Sequence, residues 1–181
     1  MTEWLVLRPQ DGPTRERKCL DGLWRFALDA EGAGRREGWW TRPLEAARLM
    51  PVPASYNDIV PSPDYRDHVG DAWYQTDVHV PVGWDGRRIV LRVDAATHRG
   101  TVWVGDIEVA AHEGGYTPFE ADITSRVTPG TSVRVTIVVN NELTWQSIPP
   151  GEVVETPAGR TQRYHHDFLS LIHISEPTRP Y

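Results

Sequence analysis

Metal binding is the first chemistry to test, because His98 and Asp94 lie four residues apart in a short polar segment. Protein metal sites generally need three or four ligands, and no second histidine or cysteine accompanies this pair. Cys19 is the only cysteine, so the chain has neither an internal disulfide nor a CxxC pair. We therefore predict no metal and no other cofactor, and we interpret His98 as a hydrogen-bonded side chain beside a turn.

Sugar stacking is the second possible chemistry, because the chain holds eight tryptophans and the apolar faces of indole rings pack well against sugar rings. The segment 114–119 combines two glycines, which permit close approach, with the rings of Tyr116 and Phe119. The alternative, which we favour, is a glycine-rich turn whose two rings anchor the core. Most tryptophans are likewise expected in the core or in a subunit interface.

The composition argues against several classes of partner. The net charge of −6 gives no positive field for a nucleic-acid backbone. No apolar run approaches the ~20 residues that span a bilayer. The first apolar run, residues 5–7, is too short for a secretory signal. The sequence therefore predicts a cytoplasmic protein without nucleic-acid or membrane partners.

Short apolar and β-branched runs, separated by Gly, Pro, Asn and Asp, predict an all-β protein. The predicted strands cover residues 5–7, 23–28, 48–52, 72–80, 88–93, 101–104, 107–112, 119–123 and 132–140. Helix is limited to short turns near residues 37–40 and 44–47, where Gly and Pro interrupt the chain. The stretch from 149 to 159, which opens with Pro-Pro-Gly, is predicted to be a long loop.

Two turns and one strand carry more specific predictions. The segment 83–86, Gly-Trp-Asp-Gly, tolerates positive φ and predicts a hairpin-like connection, as does the pair 105–106. In the strand at 132–140, residues 133, 135 and 137 are apolar and are predicted to face the core. The alternate residues of that strand then lie on a partly solvated face.

Seven motifs, in order and without large gaps, resemble the start of the β-glucuronidases of glycoside hydrolase family 2. They are KCLDGLWRF at 18–26, VPASYND at 52–58, WYQ at 73–75, RIVLRVDAATHRGTVWV at 88–104, GGYTPFEADIT at 114–124, VNNELTWQSIPPG at 139–151 and YHHDF at 164–168. Short motifs are weak alone, but this ordered series is specific. The resemblance covers residues 7–168.

This resemblance implies a fold and a function. In that family the region is an amino-terminal sugar-binding domain, a jelly-roll β-sandwich similar to galactose-binding modules. An immunoglobulin-like sandwich and a (β/α)₈ barrel with two catalytic glutamates follow it. The parent protein is expected to hydrolyse glucuronides or other glycosides as a homo-oligomer. A barrel alone takes ~250 residues, so we expect this chain to be an inactive fragment without catalytic residues.

Asp167 is the residue that the resemblance links to the substrate. In the family the aspartate of this His-Asp-Phe run contacts hydroxyls of the bound glucuronate, which implies a substrate-binding role for Asp167. The alternative is that Asp167 orients His166 or caps a turn. Glu142 follows Asn141, and the catalytic acid of the family also follows an asparagine. Glu142 nevertheless lies in the amino-terminal block without a second carboxylate nearby in sequence, so we predict that it is not catalytic.

Residues 169–181 depart from the family and resemble the read-through of a sequencing adapter. We predict a domain at 1–168 that lacks its closing strand, and a non-native tail at 169–181 that arose from sequencing or assembly. The strand next to the missing one would expose unpaired backbone groups and favour self-association. Two alternatives remain open, a stand-alone carbohydrate-binding module and a fragment of a related β-galactosidase.

Overall fold

Ten β-strands dominate the fold. The computed structural model describes residues 9–45, 47–157 and 159–165. Its strands, in chain order from β1 to β10, are Gly22–Asp29, Arg48–Val52, Asp71–His79, Val90–Val93, Arg99–Val104, Ile107–Glu113, Phe119–Asp122, Ser132–Asn140, Gly151–Thr156 and Gly159–Tyr164. The helices are α1 Ala33–Glu37, α2 Tyr56–Ile59 and α3 Pro63–Arg66, with 3₁₀ turns at Trp39–Thr41, Val82–Trp84 and Thr124–Arg126. Over these described residues, no helix is long and apolar enough to cross a membrane.

The strands form an antiparallel β-sandwich. The larger sheet has six strands in the order β2-β1-β3-β8-β5-β6, and β4 pairs with β7 in a second sheet. A separate hairpin pairs β9 with β10. At the centre of the larger sheet, β3 and β8 pair from Asp71 opposite Asn140 to His79 opposite Ser132. The prediction of an all-β sandwich is confirmed.

The main core lies between the two sheets. Strand alternation points Val102 and Val104 of β5 and Val135 of β8 toward the β4–β7 sheet, and all three are buried. Trp24 of β1 and Ala121 of β7 belong to the same cluster. Burying one large apolar side chain contributes about 1.5–3 kcal/mol, so this layer holds the two sheets together.

The outer face of the larger sheet is also covered. Thr136 and Val138 of β8 are 0% exposed, so the prediction that their face is partly solvated is wrong. The cover is the segment 39–44, in which the ring of Trp40 stacks on Trp103 with centroids 5.0 Å apart. This cover lies far from β8 in sequence, and strand alternation could not reveal it.

Two buried polar side chains fasten α1 and the cover to the larger sheet. Asp29, at the end of β1, accepts a hydrogen bond from the N–H of Gly34 at 2.8 Å, in the first turn of α1. Gln75 of β3 accepts from the N–H of Leu44 at 2.9 Å and donates to the carbonyl of Arg42 at 3.0 Å. The N–H groups of Gly34 and Leu44 are buried, and without these bonds they would have no partner.

Most predicted strands are found where the pattern placed them. Those at 48–52 and 132–140 are confirmed at the same bounds, and six more are confirmed within two residues at either end. The strand predicted at 5–7 lies outside the described residues. The turn at 105–106 does join the paired strands β5 and β6.

Two connections differ from their predictions. The loop predicted at 149–159 is instead mostly strand, because β9 and β10 pair over six positions. The charged residues and the two opening prolines of this stretch are typical of a loop. The two strands form all the same, because they hydrogen-bond to each other in a separate two-stranded sheet. The hairpin-like connection predicted at 83–86 is also wrong, since β3 and β4 belong to different sheets.

Candidate functional site

The segment between β8 and β9 forms a tight turn. The hydroxyl of Ser147 donates to the carbonyl of Pro149 at 2.7 Å and accepts from the N–H of Thr144 at 2.9 Å. The N–H of Gly151 donates to the carbonyl of Thr144 at 3.0 Å and leads into β9. The turn is thereby fixed at both ends and carries Trp145 on its exposed side.

The rings of Trp145 and His165 stack on each other. Their centroids lie 3.8 Å apart and their planes are inclined by 19°. The backbone N–H of His165 also donates to the carbonyl of Pro150 at 3.0 Å. His165, which follows β10, is therefore held through both its ring and its backbone. Asp167, the predicted substrate-binding residue, comes two positions later and lies outside the described residues.

Glu142 lies between two guanidinium groups. Its carboxylate is 2.7 Å from Arg160 Nη2 and 3.4 Å from Arg99 Nη2. Because Arg160 belongs to β10 and Arg99 to β5, these contacts link the hairpin to the larger sheet. The Glu142 carboxylate therefore has a structural role between these two elements. That Glu142 is not catalytic stays a prediction.

His98 is buried, but one of its ring nitrogens has no hydrogen bond. Its backbone N–H donates to the carbonyl of Asn140, and its carbonyl accepts from the N–H of Gly114, both at 2.8 Å. No partner for Nδ1 is found within the described part of the chain. Burial lowers the pKa of His98, and the charge of Arg99 lowers it further. The interpretation of His98 as hydrogen-bonded therefore holds for its backbone and not for Nδ1.

No group of three or more possible metal ligands occurs among the described residues. Asp94, the one ligand that the sequence offered beside His98, accepts a hydrogen bond from Arg92 Nε at 2.8 Å. The prediction that the chain binds no metal was made from the ligand residues in its sequence, and it stays a prediction.

The two rings of the segment 114–119 have different surroundings. Phe119 stacks on His112 with centroids 4.8 Å apart and packs against the main core, as predicted. Tyr116 is 69% exposed, so the prediction that it anchors the core is wrong. Of the two rings, only that of Phe119 therefore packs against the core.

Residues 17–173 match the family described as glycosyl hydrolases family 2, sugar binding domain. The chain belongs to this family. The family 2 domain is 47% identical over 182 residues to a β-glucuronidase of Paenibacillus borealis, covering 97% of this chain and 30% of that protein. It is 39% identical over 195 residues to a β-glucuronidase of Canis lupus familiaris, with coverages of 97% and 30%.

Solved β-glucuronidases share the fold of this domain. The Lactobacillus rhamnosus enzyme has a TM-score of 0.84 and 38% identity, covering 89% of this chain and 27% of the other. The Ruminococcus gnavus enzyme in complex with D-glucuronic acid has a TM-score of 0.84 and 37% identity, covering 90% and 28%. The predicted jelly-roll, galactose-binding-like class and the predicted family are confirmed.

The family 2 domain spans about 30% of the length of the curated relatives that it matches. Its match to the family ends at residue 173, inside the segment predicted to be foreign. The boundary at 168, the missing closing strand and the origin of the tail therefore stay predictions. All three concern residues outside the described part of the chain or next to it.

Four linked polar and charged side chains lie on the outer face of the larger sheet, and no sequence motif predicted them. Asp71 contacts Arg35 Nε at 2.6 Å and accepts from Asn140 Nδ2 at 2.8 Å. Asn140 in turn accepts from Arg99 Nη2 at 2.6 Å. These residues come from α1, β3, β5 and β8, so no local pattern groups them. The one available signal is that three of them lie at or beside the ends of predicted strands.

Proposed function

We propose that this domain is the amino-terminal part of a retaining β-glucuronidase that hydrolyses glucuronides. The observation that carries the proposal is the 47% identity to the Paenibacillus borealis β-glucuronidase over 97% of the chain. The Ruminococcus gnavus relative forms a complex with D-glucuronic acid, which supports glucuronate as the sugar. A parent that acts on β-galactosides is the alternative.

We infer that the chain alone does not hydrolyse glycosides. Retaining hydrolysis needs two carboxyl groups ~5–5.5 Å apart, one to protonate the leaving oxygen and one to attack the sugar. A barrel of ~250 residues does not fit into a chain of 181. Glu142, the carboxylate in the most suggestive motif, is engaged by Arg160 and Arg99. The role left for the domain is binding and positioning.

Asp167 is proposed as the contribution of this domain to the active site of the full-length enzyme. A carboxylate accepts hydrogen bonds from two neighbouring hydroxyls and so orients a sugar ring without transferring a proton. The stack of Trp145 on His165 supports this role, because it fixes the chain just before Asp167. Trp145, Ile148 and Tyr164 are also exposed in this region, as expected of a surface that another domain covers.

A chimera tests the division of labour between the domain and the rest of the enzyme. Residues 1–168 would be joined to the part of the Paenibacillus borealis β-glucuronidase that follows its aligned region. The chimera should release the chromophore from a chromogenic glucuronide, whereas the 181-residue chain should do so no faster than buffer. Turnover by the chain alone, with host enzyme excluded, would contradict the inference that it is inactive.

Variants of the chimera test Asp167. Asp167→Ala should lower kcat/KM about 10- to 100-fold, because a hydrogen bond to a charged group is worth about 1.5–3 kcal/mol. Asp85→Ala, an exposed aspartate in the segment 83–86, is the matched control and should leave kcat/KM unchanged. An Asp167→Ala variant as active as its parent would overturn the proposed substrate contact.

The choice between a glucuronidase and a galactosidase parent depends on coding sequence downstream of codon 168 in the source DNA. Continuation into a family 2 barrel of the glucuronidase type is the expected result.

The homo-oligomeric state of the parent, the cytoplasmic location and the absence of nucleic-acid and membrane partners stay predictions. Cys19 is free and exposed, a state that a reducing compartment preserves.

A further inference from the structure

A cleft of about 420 Å³ lies on the outer face of the larger sheet, next to Arg35 of α1. Its lining includes Arg35 from α1, Arg99 and Thr101 from β5, Glu113 from β6 and Asn140 from β8. Strand alternation separates this face from the main core, since Val102, the residue after Thr101 on β5, is buried there. The volume falls within the range of small-molecule sites, roughly 300–1,000 Å³.

A buried scaffold sets the positions of the two arginines in the cleft. The carboxylate of Asp71, a buried residue, contacts Arg35 Nε at 2.6 Å through one oxygen and accepts from the Asn140 amide at 2.8 Å through the other. The amide oxygen of Asn140 then accepts from Arg99 Nη2 at 2.6 Å. Both guanidinium groups are therefore held before any ligand arrives, which reduces the entropy lost on binding.

Both arginines keep donors to spare. A guanidinium carries five N–H groups, and the hydrogen bonds found among the described residues engage only Nε of Arg35 and Nη2 of Arg99. Their side chains stay 45% and 35% exposed. Glu142 lies closer to Arg160 than to Arg99, at 2.7 Å against 3.4 Å. The charge of Arg99 is thus only partly compensated.

The remaining lining decides what kind of anion the cleft suits. Glu113 is exposed on β6 and repels a simple anion such as phosphate, but its carboxylate can accept hydrogen bonds from hydroxyl groups. Thr101 adds a hydroxyl that both donates and accepts. The two guanidinium groups each have a carboxylate partner but keep unused N–H donors, and acceptors for hydroxyl groups lie beside them. This combination matches a ligand with one carboxylate and several hydroxyls.

We propose that this cleft is a binding site for a uronate sugar, with its carboxylate on Arg35 and Arg99 and its hydroxyls on Glu113 and Thr101. Arginine is the side chain best suited to a carboxylate, because its planar donors match the two oxygens. This site is proposed in addition to the role of Asp167, and all of its lining residues belong to the chain itself. It therefore does not depend on hydrolysis by the full-length enzyme.

Saturation-transfer difference NMR on the 181-residue chain tests the site and tolerates self-association of the protein. The ligands are glucuronate, glucose and acetate, which separate the ring from the charge. Glucuronate should show transfer with a millimolar Kd, whereas glucose and acetate alone should bind at least about tenfold more weakly. No transfer to glucuronate, or equal binding of glucose or acetate, would overturn the proposal.

Variants place the ligand in the cleft. Arg99→Gln should weaken glucuronate binding about tenfold, as expected for loss of a charge-assisted hydrogen bond. Arg87→Gln is the matched control, because Arg87 is exposed and lies outside the lining of this cleft, and it should have no effect. Unchanged binding by Arg99→Gln would show that glucuronate binds elsewhere and would overturn the assignment.

The variant Glu113→Ala gives a second test, because Glu113 does not belong to the hydrogen-bonded group around Asp71 and its loss leaves that group in place. Removing this carboxylate should weaken glucuronate, which loses an acceptor for its hydroxyls, and should strengthen acetate, which loses a repelling charge. Opposite changes for the two ligands are specific to the proposed arrangement. The same direction of change for both would overturn the role given to Glu113, whatever the activity of the full-length enzyme.

Discussion

The indole of Trp145 lies almost flat on the imidazole of His165, with centroids 3.8 Å apart, although the two residues are twenty positions apart in sequence. The hairpin of β9 and β10 brings them together by returning the chain to the turn that carries Trp145. Because the stack adds to the backbone bond between His165 and Pro150, the last described residue of the chain has two anchors. The stack thus anchors His165, which comes two positions before the proposed substrate-binding residue Asp167 in sequence.

Removing the indole should loosen His165. We expect Trp145→Ala to raise the hydrogen-exchange rate of the His165 amide about 2- to 10-fold, since a stacked aromatic pair contributes roughly 0.5–1.5 kcal/mol. Trp145→Phe keeps a ring and should retain most of the protection. Tyr116→Ala removes an aromatic side chain of the same 69% exposure elsewhere and should change nothing at His165. Equal exchange in Trp145→Ala and the parent chain would show that the stack does not anchor His165.

The strands of the sandwich could be predicted because each carries its own signal. Ser132–Asn140 alternates β-branched residues after a Pro-Gly turn, and Arg48–Val52 lies between breaks in the pattern, so both bounds were predicted correctly. The turn at Gly105 could also be predicted from its own residues, because its φ of 58° is one that glycine adopts without strain.

The covered outer face and the candidate sites could not be predicted in this way. Thr136 is fully buried beside Gln75, whose amide binds Leu44 of a segment about ninety positions before Thr136. A polar threonine on a strand normally indicates a solvated face. Arg35 and Arg99 reach the same cleft only through Asp71 and Asn140, which come from two other strands. Contacts of this kind depend on the packed sheet, and a single sequence contains no periodicity that encodes them.

Gln75 should be a major stabilising residue of the covered face. It is 0% exposed, and it accepts from the N–H of Leu44 and donates to Arg42 and to Thr136 Oγ1 at 3.1 Å. Gln75→Leu fills a similar volume but leaves buried polar groups unpaired, each at a cost of about 1–3 kcal/mol. We expect a loss of about 3 kcal/mol in the free energy of unfolding, measured by urea denaturation.

Gln146→Leu is the matched control for this prediction, because Gln146 is exposed and hydrogen-bonds only through its backbone N–H among the described residues. Its effect on stability should stay within about 0.5 kcal/mol. If Gln75→Leu is no more destabilising than Gln146→Leu, the amide does not fasten the segment 39–44.

Gly34 should tolerate no side chain. A Cβ at this position would lie 2.6 Å from the ring of Trp73, which is fully buried and donates to Asp29 at 3.2 Å. Alanine favours a helix over glycine by about 1 kcal/mol, so propensity alone predicts stabilisation of α1. Overpacking typically costs about 1–3 kcal/mol, and here the ring cannot move away. We expect Gly34→Ala to lower Tm and to shift tryptophan fluorescence.

Gly83→Ala is the control for Gly34→Ala, because a methyl group at Gly83 would meet no atom within 4 Å and the φ of this glycine is not in the left-handed region. Its Tm should match that of the parent chain. A Gly34→Ala variant that is as stable as Gly83→Ala would mean that α1 can move off Trp73 without cost.

Acid should destabilise the domain through two buried histidines. Burial lowers the pKa of His68 and of His98 below the ordinary value of 6.5, although the hydrogen bond of His68 Nε2 to the Asp71 carbonyl and nearby negative charges oppose the shift at His68. Below about pH 6.5 the unfolded chain therefore binds protons that the folded chain resists. The free energy of unfolding should be level above about pH 7.5 and should fall as the pH drops through 6.5 toward the lower pKa values of the folded state.

Urea denaturation between about pH 5.5 and 7.5 measures this slope above the range where most carboxylates titrate. His68→Gln keeps an N–H donor for the Asp71 carbonyl, and His98→Asn removes the second imidazole. Each variant should make the slope shallower, and the double variant should be shallower than either. A double variant with the slope of the parent chain would show that neither histidine is responsible for the acid sensitivity.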